Sequence, residues 1–219
     1  MITNSMNTPD LPDWRREVQE AMREATEQEI LNRYGSLDVS FNYRWEHVTS
    51  VVILATKLAQ LTGADEEVVE AAAWLHDIRK MSGSQHAIEG AGFASSFLKE
   101  TNFPPEKIDR VAQAIKEHMG LWRDEPLTNL EAMVLWDADK LAKIGLTAVF
   151  HWTGGSLAGS EFRDVRALIE DSRQADWQEK TVASMHSEPA KRAARNRLDH
   201  FKWLWQALEE ELNGDDLLP

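Results

Sequence analysis

The sequence predicts an all-α fold, and three observations lead to this expectation. Almost every segment carries apolar residues at helical spacing, and no long stretch alternates apolar with polar side chains as a half-buried strand would. Residues typical of helix ends punctuate these segments, since Gly63 follows one apolar helix and Asp65 opens the next. With 219 residues the chain can form one hydrophobic core, or at most two small domains.

The predicted elements follow one another from a loose segment at residues 1–12 to an acidic tail. The capping-box pattern "TNLE" opens one helix at Thr128. The clearest loop is "TGGSLAGS" at 153–160, a linker or lid, since it lacks the preceding strand and the lysine of a phosphate-binding loop. Helices are expected at 13–34, 43–61, 65 to about 80, about 84–99, about 105–118, from Thr128 through Gly145 or beyond, about 161–186 and about 188–212.

The composition excludes several classes of partner and site. The formal net charge of −13 disfavours a nucleic-acid polymer or an anionic membrane, although a bound cation would still allow a small phosphorylated substrate. No cysteine is present, so disulfides and thiolate metal sites are excluded. No apolar run approaches the ~20 residues of a membrane span, and the N-terminus does not resemble a signal peptide. We therefore expect a cytoplasmic protein.

The stretch "AAAWLHDIRKMSGSQH" at 71–86 places a histidine and an aspartate side by side in an apolar segment. His76 and Asp77 would point about 100° apart on an ideal helix, so both reach one ion only at a distorted helix end. Gly83 shortly afterwards indicates such an end. The alternative is a buried polar pair that the fold satisfies with hydrogen bonds.

Other potential metal ligands lie on the neighbouring predicted helices, and a helical bundle can build a metal centre from side chains projecting inward. Buried carboxylates in apolar segments such as "WLHDI" and "VLWDADKLAKI" each need a cation, a metal or several donors. Imidazole with carboxylate and no sulfur suits Mn, Fe, Ni, Zn, Co or Mg without distinguishing among them. The alternative for each residue alone is a hydrogen-bonded core histidine or an ion pair. The set comprises His47, His76, Asp77, His86, His118, Asp137 and Asp139.

The order of these residues resembles the H…HD…D signature of HD-domain metal-dependent phosphohydrolases. His47, the "HD" of 76–77 and an aspartate in "DADKL" carry that signature. "HDIRK", "HAIEGAGFASSFL" and "AIKEH" are similar to flanking segments of the family. The resemblance covers residues 43–150 and implies an HD-domain-like helical bundle with additional N- and C-terminal helices. We expect an N-terminal helical extension at 1–42 packed on the core, a metal-binding HD-domain core at 43–152, and C-terminal helices at 153–219 within the same domain.

The resemblance also implies roles for individual residues around one or two divalent ions. Asp139 matches the first acid of the family pattern better than Asp137, which is then a residue that orients a histidine ligand, or the alternative ligand. His86 and His118 would bind a second ion, act as an acid, or touch phosphate. Metal ligands would be His47, His76, Asp77 and Asp139, with Asp77 also accepting a proton from water, and phosphate would meet Lys80, Arg44 and His151.

Two departures from the family pattern bear on the substrate. Ala142 replaces a second acid, and "GLTAVFH" places His151 where an arginine would stand. We expect hydrolysis of a phosphate ester or anhydride in a small metabolite, with a nucleotide as the leading candidate. The alternatives are a di-iron oxygenase or lyase on the same scaffold, and a signalling module with a degenerate site. A homo-oligomer is compatible with the sequence.

Overall fold

The fold is entirely helical over the part of the chain that the structure describes. This structure is a computed structural model, and it describes residues 11–39, 41–123, 125–158, 164–173 and 176–217, without the side chains of 155–158. No strand occurs within these ranges. The α-helices are α1 (Trp14–Tyr34), α2 (Tyr43–Thr62), α3 (Glu66–Leu75), α4 (His86–Phe97), α5 (Ile108–Glu117), α6 (Leu130–Leu141), α7 (Leu146–Ala158), α8 (Val165–Arg173), α9 (Trp177–Ala183) and α10 (Glu188–Asn213).

Short 3-10 segments extend or connect several of these helices. They are Lys80–Gln85, Leu98–Glu100, Pro105–Lys107 and Asp215–Leu217. Pro105 occupies the first turn before α5, as the sequence predicts, because a missing N–H costs nothing at that position.

The expected helix from Thr128 through Gly145 is wrong at both ends. Asn129 is the N-cap, accepting a hydrogen bond from the backbone N–H of Ala132, and Glu131 instead contacts Arg110. The helix ends at Leu141, and Gly145 at φ +83° provides the left-handed turn that leads into α7.

The segment predicted as a loop at 153–160 is helical as far as Ala158, and residues 159–160 lie outside the described ranges. Gly154 lies within α7 against the ring of Phe41, where an added Cβ would be only 3.1 Å from Cδ1. The glycine therefore serves close packing. The single helix expected at about 161–186 is also wrong, because Val165–Arg173 and Trp177–Ala183 are separate helices and 161–163 and 174–175 lie outside the described residues.

The main core joins the middle of the chain to both of its ends. Helix α2 packs on α3 and α6, and α4 packs on α5. Trp14 and Val18 of α1 and Ala190 and Ala194 of α10 are buried in the same core. A smaller cluster combines α7, α8 and α10. None of the helices among the described residues is both long and apolar enough to cross a membrane.

Candidate metal centre

Helix ends bring the histidines together in the centre of the fold. Helix α3 ends at Leu75, so His76 and Asp77 lie in the turn that follows. Gly83, at φ 57° and ψ −122°, kinks the next segment before His86 begins α4. His118 follows the last residue of α5, and His47 projects from the first turns of α2.

Three of these histidines bind their own backbone in the same way. The Nδ1–H groups of His76, His86 and His118 donate to the carbonyl oxygens three residues earlier, at 2.7, 2.6 and 2.5 Å. This hydrogen bond fixes the ring orientation and leaves the lone pair of Nε2 available. An imidazole held in this way is prepared to bind a metal ion through Nε2.

The carboxylate of Asp77 lies between two groups of histidines. Its Oδ2 is 4.0 Å from Nε2 of His47 and 3.7 Å from Nε2 of His76. Its Oδ1 is 3.6 Å from Nε2 of His86 and 3.8 Å from Nε2 of His118. Each group offers ligand atoms within 4.8 Å of one another, so Asp77 belongs to two clusters that can each hold an ion.

Asp139 of α6 completes the first cluster. Its Oδ1 lies 3.1 Å from Nε2 of His47 and 4.0 Å from Nε2 of His76. Two lysines contact the same carboxylate, Lys140 at Oδ2 and Lys143 at Oδ1, both at 2.6 Å.

The first cluster contains polar atoms that are buried without a hydrogen bond among the described residues. These are Nδ1 and Nε2 of His47 and Nε2 of His76. Unpaired buried polar atoms are costly, and the two Nε2 atoms both face Oδ1 of Asp139, at 3.1 and 4.0 Å. A divalent ion would satisfy both nitrogens at once beside this carboxylate, so the residues present fit a metal.

The protonation states also suit a cation. Burial lowers the pKa of His47, and it lowers the pKa of His76 to about 3, so both imidazoles are neutral at pH 7 and able to bind metal. Burial alone would raise the pKa of Asp77, but the charges of its neighbours, including Arg44, hold that pKa well below the usual range. Burial would likewise raise the pKa of Asp139, and Lys140 and Lys143 outweigh it.

Comparison with known proteins agrees with this geometry. The family model of the HD domain matches residues 44–144, the segment that carries both clusters. The protein contains an HD domain.

One curated relative is similar to part of this chain. A tRNA (cytidine(56)-2'-O)-methyltransferase of Thermoplasma volcanium is 35% identical over 94 residues, which are 42% of this chain and 24% of the relative. The chain therefore spans about a quarter of the length of that relative.

Solved structures extend the similarity beyond the HD domain to almost the whole fold. YpgQ of Bacillus subtilis in complex with ADP is 20% identical with a TM-score of 0.64, covering 91% of this chain and 98% of that one. An HD-superfamily hydrolase from Bacillus thuringiensis is 19% identical with a TM-score of 0.62, at the same coverages. A predicted HD superfamily hydrolase from an uncultured Thermotogales bacterium is 22% identical with a TM-score of 0.58, covering 91% of both chains.

Asp137 lies on the same helix as Asp139, but its carboxylate is directed elsewhere. It accepts hydrogen bonds from the backbone N–H groups of His186 and Ser187 at 2.8 Å, and from the Ser187 hydroxyl at 2.7 Å. Among the described residues, the histidine beside this carboxylate is His186, whose Nδ1 is 3.5 Å from Oδ1 of Asp137. His186 belongs to neither cluster. These contacts favour Asp137 as the anchor of α10 over the ligand or orienting role that the sequence suggested.

The residues expected to bind phosphate occupy different positions around the HD domain. Arg44 donates to Oδ2 of Asp77 at 2.5 Å and to Glu29 at 2.9 Å, so it fixes the orientation of Asp77. Lys80 donates to Oδ1 of Asp77 at 3.1 Å, and a third of its side chain is exposed. The ring of His151 packs edge-on against Tyr43, and burial lowers its pKa, so the ring is neutral at pH 7.

Sequence reasoning missed three residues that contact this site. Lys140 and Lys143 hold Asp139, and Tyr43 stacks on His47 with ring centroids 5.9 Å apart and 7° between the planes. A lysine one residue after an acid reads as an exposed ion pair, whereas Lys140 is only 2% exposed. The apolar residues flanking Lys140 on α6 are the signal that could have indicated its burial.

Proposed function

We propose that this protein is a metal-dependent phosphohydrolase that cleaves a phosphate ester or anhydride in a nucleotide. The position of the Asp77 carboxylate between His47 and His76 on one side and His86 and His118 on the other carries this proposal. Two adjacent clusters that share a carboxylate suit a pair of ions acting on one phosphoryl group.

The first ion would be held by His47, His76, Asp77 and Asp139. His86 and His118 would share Asp77 for the second. Divalent ions bound there would lower the pKa of a water molecule and neutralise charge on the phosphoryl oxygens.

The remaining chemistry belongs to side chains of the chain. Asp77 offers one carboxylate oxygen to each cluster and Arg44 keeps that carboxylate in place, so the attacking water, made more acidic by a bound ion, would release its proton to solvent. Lys80 is partly exposed beside Oδ1 of Asp77, where its ammonium group pairs with an oxygen of the incoming phosphate. His86 lies on the same side, with its Nε2 3.5 Å from Nζ of Lys80, and the lone pair of that nitrogen suits the second ion.

The nucleotide part of the proposal has separate support. YpgQ, which shares this fold over 91% of the chain, is known in complex with ADP. The chain also carries two cations, Arg44 and Lys143, at the border between the metal clusters and an adjacent cavity.

The decisive experiment combines elemental analysis of the purified protein with a phosphate-release screen. Nucleotides and phosphomonoesters are tested with Mn, Fe, Co, Ni, Zn and Mg ions. Asp77→Asn should abolish release, whereas Asp109→Asn, a matched change at an exposed acid of α5, should leave it intact. No metal after purification together with no affinity for added Mn²⁺ would refute the proposal.

The oxygenase alternative has its own signature. Oxygen consumption with ferrous iron, without phosphate release from any compound in the screen, would assign the centre to oxidative chemistry instead.

A further inference from the structure

A cavity of about 610 Å³ lies directly beside the candidate metal centre, and part of its wall comes from outside the HD domain. Helices α1, α2 and α7, with the residues just before α2 and just after α6, form one part of it, and α8, α9 and α10 form the other. Its volume is within the range of pockets that enclose small organic ligands.

Three residues belong to both the cavity wall and the surroundings of the metal clusters. Tyr43 lines the cavity and stacks on His47. Arg44 lines it and binds Asp77, and Lys143 lines it while contacting Asp139. A ligand with its phosphate at the clusters would therefore extend past two cations into this cavity.

Planar side chains form much of the cavity wall. The ring of His151 packs edge-on against Tyr43 at 5.8 Å and is 6.0 Å from the ring of Phe41. Trp152 and Trp177 also line the cavity. Flat aromatic faces of this kind favour a flat aromatic ligand, because stacking is tolerant of the identity of the ring.

One buried amide in the wall is unpaired. Gln178 of α9 lines the cavity and is 2% exposed, and its Nε2 has no hydrogen-bond partner among the described residues. A buried donor left without a partner is unfavourable, so an acceptor on a ligand would form the missing hydrogen bond. A carboxamide presents a donor and an acceptor side by side, which matches the hydrogen-bonding edge of a nucleobase.

The charges in the cavity wall indicate how a ligand would be oriented. Glu29 forms ion pairs with Arg44 and Arg33, at 2.9 and 3.2 Å, so its negative charge is compensated. Asp171 also lines the cavity. The cations Arg44 and Lys143 stand at the side of the metal clusters, where the anionic part of a ligand belongs.

Building on the proposed phosphohydrolase activity, we infer that this cavity binds the base of the nucleotide and that Gln178 recognises the edge of that base. The C-terminal helices then determine specificity, whereas the HD domain supplies the metal centre. The aromatic rings hold the base by stacking. Arg44 and Lys143 bind the phosphate of the same nucleotide, which lies between the cavity and the metal centre.

Binding of adenosine, guanosine, cytidine and uridine to the metal-loaded full chain tests this inference without depending on hydrolysis, because nucleosides carry no phosphate. At least one nucleoside should bind, and its protons should show NMR contacts to the rings of Phe41 or Tyr43. Gln178→Leu should weaken that binding roughly five- to tenfold. The matched control Gln206→Leu, at an exposed position of α10, should leave it unchanged.

Several outcomes are informative. Absence of binding by all four nucleosides, equal affinity of Gln178→Leu and the unmodified protein, or NMR contacts away from the cavity would each overturn the inference. Should Gln178→Leu fail to fold, the NMR contacts in the unmodified protein still decide. Nucleoside binding that depends on Gln178, without phosphate release in the screen, would refute the proposed reaction and support the base site.

Discussion

Nζ of Lys143 lies 2.6 Å from Oδ1 of Asp139, the same oxygen that faces Nε2 of His47 at 3.1 Å. The ammonium group thus neutralises the carboxylate that the first ion would use. A lysine and a divalent ion compete for one oxygen, because like charges repel strongly in a buried setting. The lysine side chain is a quarter exposed and leads toward the cavity, so it has space to move there.

Lys143→Gln is expected to tighten binding of Mn²⁺, because the substitution removes the competing charge. Isothermal titration calorimetry of the metal-free protein measures the change, which we expect to be roughly tenfold. The same substitution at Lys57, an exposed lysine of α2, removes one charge at a distance from the site and is the matched control. An affinity that falls in Lys143→Gln would contradict the competition.

His118→Ala is expected to remove one ion while the first cluster keeps its own. His118 contacts Oδ1 of Asp77 and is not part of the cluster formed by His47, His76 and Asp77. Metal content should fall from about two ions per chain to about one, as measured by elemental analysis after loading with Mn²⁺.

His47→Ala should reduce binding more severely, because His47 contacts both Asp139 and Asp77. Loss of all metal in His118→Ala would show that the two clusters do not bind separately.

The parts of this site that follow from local sequence were predictable, and the parts that depend on distant contacts were not. The adjacent His76 and Asp77 together with Gly83 indicated a distorted helix end, and α3 does end at Leu75. Tyr43 and Lys143 gave no such signal, because their importance comes from rings and carboxylates on other helices.

The cavity was invisible in the sequence for the same reason. The glycines of "TGGSLAGS" predicted a loop, yet Gly154 lies in a helix. A glycine is needed there because the ring of Phe41, more than a hundred residues earlier in the chain, leaves no room for a Cβ. Gln178 is one polar residue in a polar segment, and only the packing of α9 makes it buried.

A matched pair of substitutions distinguishes the two aspartates of α6. Asp137→Asn is expected to lower the free energy of unfolding by about 2 kcal/mol, because an amide NH₂ would face backbone donors that now meet a carboxylate oxygen. Its metal content should not change. Asp139→Asn should weaken metal binding more than about tenfold, since it removes a charged ligand. Urea unfolding measures the change in stability, and elemental analysis measures the change in metal content. Loss of metal in Asp137→Asn but not in Asp139→Asn would make Asp137 the ligand.

The N-terminus of the helix that leads to His76 should be sensitive to acid. Asp65 caps α3 by accepting from the backbone N–H of Val68, and it contacts Lys107 and Arg110 at 3.0 Å. Burial alone would raise the pKa of Asp65, but these partners lower it. The folded state therefore binds the proton less tightly than the unfolded chain, whose aspartate titrates near a pKa of about 3.9.

Stability from Asp65 is accordingly present above about pH 4 and is lost as the pH falls through the lower pKa of the folded state. At pH 7, Asp65→Ala should lose about 1 kcal/mol of unfolding free energy. The difference from the unmodified protein should shrink at pH 3. Asp65→Asn keeps a capping oxygen and should lose less at pH 7. Urea unfolding followed by circular dichroism at both pH values measures these differences, and a deficit in Asp65→Ala that is equally large at pH 3 would show that the ionised carboxylate contributes nothing.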